Sequence, residues 1–313
     1  MITTTKKEPT NFLTWLEQRK NSIGGSDAAA IIGLNPYRSA FAVWADKVNP
    51  KVEAEEDNEA MRQGRELETY VAARFAEATG KRVMRTGMKY NPKYPFAHAN
   101  IDRRIIGENA GLECKTTSSL NLKRYRNGEY PEEFYTQCVH YMAVCGFDRM
   151  YLAVLIFGKD FKIFTIERDE AEINALMAAE RVFWDECVKT NTPPNASDYK
   201  ISLDDLDNFY NISTPETTID LTEVAKDVEA LKVLKDDIKE LEALADEHEA
   251  RIKAFMQNHE KGHTGFYSVT WKTTTSRTFD SKRYIADHAG QDFSKYYNER
   301  TSRRFLLKEK KAE

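Results

Sequence analysis

The chain has 313 residues, 41% of them hydrophobic and 11% aromatic, enough apolar matter for a sizeable core and too much for a globally disordered protein. A formal net charge of −4 excludes a uniformly basic chain while leaving room for local basic surfaces. No apolar run of about eighteen residues occurs, and the opening "MITTTKKEPTNF" carries no apolar leader, so a soluble cytoplasmic protein with no membrane partner is expected.

In chain order, "NFLTWLEQRK" has the apolar spacing of a helix. "GGSDAAAIIGL" predicts a short helix with Ser26 or Asp27 at its start and Gly33 at its end. "SAFAVWADKV" and the long "NEAMRQGRELETYVAARFAEATG" predict two more, the second closed by Gly80. The period then becomes strand-like over "RVMRTGMKY", "FAHANIDRRI" and "AGLECKTT". A helix follows over "PEEFYTQCVHYMAVCG" with Pro131 in its first turn, then the strands "RMYLAVLIFG" and "DFKIFTIER", then a helix from Asp169 to about Lys189. The pattern breaks at "KTNTPPNASDY", which predicts a first domain over residues 1–200.

A polar helix is expected over 221–255. Its apolar seam runs Leu221, Val224, Val228, Leu231, Leu234, Ile238, Leu241, Ala245, His248, Ile252, Phe255, close to a heptad repeat with one stammer at Leu231–Leu234. This arm, 217–258, reads as a coiled coil or an α-hairpin. Eleven acidic and six basic residues between 218 and 258 give it a net −5, unsuited to DNA. The tail, 261–313, reverses the sign: twelve Lys/Arg against six Asp/Glu give +6. Within it "FYSVTWKTTTSRTFD" alternates like a hairpin. Its Tyr, Trp and Arg suit a nucleic-acid surface, and equally a plain solvated β unit. The cysteines Cys114, Cys138, Cys145 and Cys187 form no CxxC pair and are expected as reduced, mostly buried thiols.

The chemistry concentrates in "ANIDRRIIGENAGLECKTTSS". On a strand Glu113 and Lys115 share one face while Cys114 points away, and a turn at "GENAG" can bring Asp102 opposite them. Two carboxylates and an ammonium in one small volume suit a hard cation and a phosphodiester. Taken alone, the spacing also fits an incidental surface ion pair.

"RKNSIGGSDAAAIIGLNPYRSAFAVWADKV", "RQGRELE", "D…GLECK" and "YPEEFYTQCVHYMAVCGFDRMYLAVL", in that order, resemble the YqaJ-type viral recombinases, phage exonucleases similar to lambda exonuclease, over about residues 15–190. The resemblance implies an α/β (α+β) restriction-endonuclease-like PD-(D/E)xK core followed by a helical arm and a small basic tail. It implies Mg²⁺, with Mn²⁺ able to substitute, held by Asp102, Glu113 and the backbone carbonyl of Cys114. Lys115 would activate water, Glu68 would join the catalytic set, and Gln137 would contact substrate or a metal-bound water, with Tyr141 one turn along. Helical spacing also puts Glu68, and not Glu66, on the stripe of Val71, Ala72 and Phe75. Arg19 and Ser26 match positions that hold a DNA 5′-phosphate. The activity implied is 5′→3′ digestion of linear double-stranded DNA to give 3′ single strands for a strand-annealing partner. It would occur in a host bacterium, by a homo-oligomer of trimeric-ring type.

One departure stands out: relatives have "PDG" where this chain has Ile101-Asp102-Arg103, and His98 lies close enough in sequence to be an extra ligand. Two alternatives remain at this stage. One is a RecB-like nuclease of different polarity or with an iron–sulfur cluster; the other is an inactive DNA-end-binding scaffold.

Overall fold

A computed structural model describes residues 4–5, 12–50, 58–299 and 301–308. Most of the opening segment, Asn11 at the head of the first expected helix, Arg300, and 309–313 of the basic tail lie outside the described residues. The chain divides into two compact units, Met1–Tyr210 and Asn211–Glu313.

The first unit opens with a short strand β1 (Thr4–Thr5) and the helices α1 (Phe12–Lys20), α2 (Gly25–Ile31), α3 (Ala40–Val48) and α4 (Glu59–Thr79). Asn58 caps α4, its side chain accepting the Met61 N–H, and Gly80 ends it with φ 71°, a left-handed turn that only glycine adopts without strain. Strands β2 (Val83–Met84), β3 (Lys89–Asn91), β4 (Tyr94–Ala99), β5 (Arg103–Ile105) and β6 (Ala110–Thr117) follow. Then come α5 (Glu132–Cys145), β7 (Arg149–Ile156), β8 (Asp160–Glu167), α6 (Glu170–Phe183) and α7 (Leu203–Phe209).

Five strands make the main sheet, in the order β2-β5-β6-β7-β8. Its neighbours are antiparallel except β6 and β7, which run parallel and are joined through α5, the long crossover a parallel pair requires. The strands β1-β3-β4 form a separate antiparallel sheet. Alternation along the central strands loads both faces. Ala110, Leu112, Tyr151 and Ala153 pack with Val71, Ala72 and Phe75 of α4. On the opposite face Met150, Leu152, Val154 and Ile156 pack with α2, α3, α5 and α6. A strand covered on both faces has no solvent side, so a polar group projecting from it is there at a desolvation cost.

Two of the expected strands divide in the same way. "RVMRTGMKY" becomes β2 in the main sheet and β3 in the small one, and "FAHANIDRRI" becomes β4 in the small sheet and β5 in the main one. Local β-propensity does not reveal which partner a strand takes, so the break at Asn100–Asp102 is a tertiary event. The short helix starts earlier than expected: Gly24 is its cap, Ser26 its second residue, and Asp27 supplies the capping carboxylate by accepting the Gly24 N–H at 3.0 Å. Pro131 is the cap of α5 and not part of its first turn. The helix from Asp169 is α-helical to Phe183, followed by a π-helical stretch, Trp184–Val188. The packed chain runs on past 200 through α7, where Phe209 meets Phe41 edge-on at 5.4 Å and Trp44 at 5.2 Å, and Asp205 accepts from Ser39 Oγ at 2.6 Å.

In the second unit the arm is one uninterrupted helix, α8 (Ala225–Met256), rather than a hairpin of two, and its seam is solvent-exposed, with Leu241 at 65%. The strands β9 (Lys261–His263) and β10 (Ser268–Thr270) pair antiparallel, and α9 (Ser281–Asp287) follows. The hairpin thus forms from "KGH" and "SVT", not within "FYSVTWKTTTSRTFD". Among the described residues no helix is long and apolar enough to cross a membrane.

Candidate active site

The hairpin of β5 and β6 sets the first relationship. Arg103 pairs with Leu112 and Arg104 with Gly111, and that register carried one residue back puts Asp102 across from Glu113. Gly107 in the connecting turn has φ 90°, which only glycine tolerates readily. β5 begins at Arg103, so beyond Leu112 the adjoining edge of β6 has no strand beside it among the described residues. Asp102 fills that gap: its Oδ2 accepts the Cys114 N–H at 2.7 Å. The two main-chain groups of one strand residue leave by the same edge, so the Cys114 carbonyl faces the open stretch beside Asp102. The Cys114 thiol packs on the α4 side of the sheet, as alternation requires.

Glu113 points the other way, towards α5. Its side chain is buried; Oε1 accepts from Lys115 Nζ at 2.7 Å and from Gln137 Nε2 at 2.8 Å. Gln137 Oε1 accepts from Lys115 Nζ at 3.0 Å, so the amide orientation is set by an ammonium on one side and a carboxylate on the other. Gln137 Nε2 also donates to Tyr141 OH at 2.9 Å, and that hydroxyl donates to the Asn100 carbonyl at 3.1 Å. The Lys115 ammonium lies 4.8 Å from the Phe134 ring centre. The structure therefore brings Asp102, Glu113, Lys115, Gln137 and Tyr141 together.

Burial, then the nearby charge of Glu113, pushes the Asp102 carboxyl well above its usual range. Burial works against the Lys115 charge, but Glu113 and Asp102 outweigh it and hold the ammonium above its ordinary value. When both carboxyls are ionised, two negative charges stand against the one Lys115 ammonium. The second oxygen of Glu113, Oε2, is buried with no hydrogen-bond partner among the described residues. An orphaned carboxylate oxygen beside a second carboxylate is what a hard cation would satisfy. Among the described residues no three His, Cys, Asp or Glu side chains converge as a ligand set. A donor set of two carboxylates, a main-chain carbonyl and water is nonetheless one that Mg²⁺ accepts, and these residues fit it.

Glu68 lies on the inward side of α4, one turn from the buried Val71 and Ala72, while Glu66 is exposed. It is already bound. Arg103, 6% exposed at its side chain, donates through Nη1 to Glu68 Oε1 and at 2.6 Å to the Asp102 carbonyl, and Nη2 lies 3.4 Å from Thr69 Oγ1. The sequence reading passed over Arg103 as a flank of Asp102. Its signal was there, a basic residue two positions before Ile105 on the strand face that packs on α4.

Arg19 Nη2 and Ser26 Oγ lie 3.4 Å apart, at the surface. Beneath them is a cluster that sequence reading missed: buried Asp27 pairs with Arg38 at 2.7 Å and Lys47 at 2.8 Å. Burial alone would raise its carboxyl, but those two cations hold it far below the carboxylate range. His98 belongs to this region and does not join the carboxylate pair. Its Nδ1 is 2.8 Å from Ser22 Oγ, and its charged neighbours are Lys47, Asp27, His140 and Arg19.

A sequence model of the YqaJ-like viral recombinase domain matches residues 14–148. The chain is 37% identical over 299 residues to "Uncharacterized protein YqaJ" of Bacillus subtilis (strain 168), covering 94% of this chain and 93% of that one. Among solved structures, an alkaline exonuclease (LHK-Exo) from Laribacter hongkongensis matches with a TM-score of 0.50 at 20% identity, covering 57% of this chain and 93% of its own. The same exonuclease in complex with dAMP matches with a TM-score of 0.50 at 21% identity. The mixed α/β arrangement of this chain is thus similar to the fold of that alkaline exonuclease.

Proposed function

This chain belongs to the YqaJ-like viral recombinase family, and from that membership and the Asp102–Glu113–Lys115 geometry we propose that it is a divalent-metal-dependent deoxyribonuclease acting on the ends of linear double-stranded DNA. The observation that carries the reading is the orphaned Glu113 Oε2, opposite Asp102 in register and beside the Lys115 ammonium. We read the main sheet, with α4 on one face and α5 on the other, as a PD-(D/E)xK nuclease core.

Asp102, Glu113 and the Cys114 carbonyl would hold Mg²⁺, or Mn²⁺ in its place. A divalent ion bound there supplies Lewis-acid stabilisation to a scissile phosphate. Lys115, held protonated by the two carboxylates, acts as a donor: it orients the attacking water and offers positive charge to the phosphate oxygens as charge develops. Gln137 fixes both Lys115 and Glu113 and keeps their geometry when substrate arrives. Arg19 and Ser26 face solvent near α2 and would hold the 5′-phosphate of a DNA end.

Digestion in the 5′→3′ sense, release of 3′ single strands to an annealing protein, and a ring-type homo-oligomer complete the reading, on the support of family resemblance. The domain scheme of nuclease, arm (217–258) and basic tail (261–313) belongs to it as well. The test is digestion of a linear duplex with Mg²⁺, run beside EDTA and Lys115→Ala controls, on 5′-phosphorylated and unphosphorylated ends. Loss of one strand by the wild type alone, faster from phosphorylated ends, supports the proposal. Equal binding without digestion by wild type and Lys115→Ala favours the end-binding scaffold instead.

A further inference from the structure

One guanidinium nitrogen, Arg103 Nη1, binds both Glu68 Oε1 and the Asp102 carbonyl, so Glu68 is the carboxylate on which a second divalent ion beside Asp102 would draw. That carboxylate carries a guanidinium already. Arg103 is buried against it, is tied by the same Nη1 to the Asp102 carbonyl, and is steadied by Thr69. Arg85 adds a second, more distant cation at 3.8 Å. An arginine cannot give up its proton at any working pH, so this positive charge is permanent.

We propose that Arg103 is a built-in cation standing where a second metal ion would bind, so that each chain takes one divalent ion, on Asp102 and Glu113, and Glu68 is not a ligand. This rests on the metal-dependent reading above and deepens it. Arg103 is a positioning residue: through the one Nη1 it anchors α4 to the main sheet and holds the backbone at Asp102. The chain's departure from the tight turn expected at this aspartate then has a physical purpose. The guanidinium supplies from a strand what a glycine at that position could not.

The contrast with Glu113 sharpens the assignment. Glu113 meets a lysine and an amide on one oxygen and, among the described residues, no hydrogen-bond partner on the other, so it retains a lone oxygen for an ion. Bringing an ion to Glu68 would mean either displacing a buried arginine, whose stranded charge is costly, or crowding two cations together.

The test is equilibrium Mn²⁺ binding without DNA, followed by electron paramagnetic resonance, on the full chain and its variants. Wild type should bind one ion per chain, and Glu68→Gln should still bind one, with affinity lowered less than about tenfold, the scale of a lost outer partner. Arg103→Gln, its fold checked by circular dichroism, should gain a second, weaker site that disappears in Arg103→Gln/Glu68→Gln, whereas Arg103→Lys should stay at one. Two ions on wild type, or loss of binding in Glu68→Gln, would overturn the inference while leaving the nuclease reading intact. No ion on wild type would instead defeat the metal site itself.

Discussion

Gln137 Nε2 lies 2.8 Å from Glu113 Oε1, so an amide on α5 sets the direction of a carboxylate on β6. The same side chain takes a bond from Lys115, and its replacement should loosen both. Gln137→Leu is expected to lower Mn²⁺ affinity or nuclease activity about 10- to 100-fold with the fold retained, the usual cost of losing an outer partner. Gln137→Glu should do worse, because it sets a third carboxylate against Glu113. Metal titrations and duplex-digestion rates check both; unchanged values in either variant would remove Gln137 from the site.

Gly25, the first residue of α2, supports the same network from behind. A Cβ there would fall 2.5 Å from Tyr141 Cε1 and 3.1 Å from Gln137 Cγ. Tyr141 is fixed by bonds to Gln137 and the Asn100 carbonyl, so its ring has no cheap retreat. Gly25→Ala should cost about 1–3 kcal/mol in stability, the range for overpacking, and should lower activity along with it. A denaturant melt and a digestion assay on one sample would show whether the two losses travel together, as this packing requires.

How much of this was legible beforehand depends on the range of the interaction. Glu113 and Lys115 share a face because strands alternate, and Asp102 falls opposite because a short glycine turn folds the strand back; both follow from local geometry. Glu68 was placed by family resemblance with the helical period in agreement, and α4 begins after Asn58 and stops at Gly80 as capping chemistry dictates. The break between β4 and β5 was not legible, since it depends on which sheet accepts each half. Nor was the Arg103–Glu68 pair, which joins residues far apart in sequence through a packing that no period encodes. The Asp27–Lys47–Arg38 cluster escaped for the same reason: the alanines that follow Asp27 advertise a helix, not the two cations that meet it.

The helix α7 was hidden by its charge, and its anchor makes a separate prediction. Phe209 is 43% exposed yet contacts both Phe41 and Trp44. Phe209→Ala should cost about 1–2 kcal/mol, less than a fully buried ring because half its surface stays in water. Urea unfolding of the full chain measures it. No loss would mean that α7 contributes nothing to the stability of the first unit.

His98 provides the pH dependence. Burial, reinforced by the Lys47 charge and opposed by Asp27, pushes its pKa down to about 3. An unfolded histidine takes up its proton near about 6.5, so between that value and about 3 the unfolded chain binds a proton that the folded one refuses. Stability must then fall as pH drops through this window, by about 1.4 kcal/mol per pH unit once well inside it. His140 contributes with the opposite sign. Burial disfavours its charge, but Glu180, 2.8 Å away, wins and raises it, so its contribution is complete below about 6.5 and is lost only as pH rises. The two histidines thus act on opposite sides of the ordinary histidine value of 6.5 and can be separated. His98→Asn, which cannot titrate, should be less stable than wild type at pH 7.5 through its lost packing and altered Ser22 bond. The difference between the two should narrow steadily towards pH 5. Urea midpoints at several pH values measure that gap, and a gap that stays constant or widens on acidification would mean that His98 takes up a proton in the folded protein.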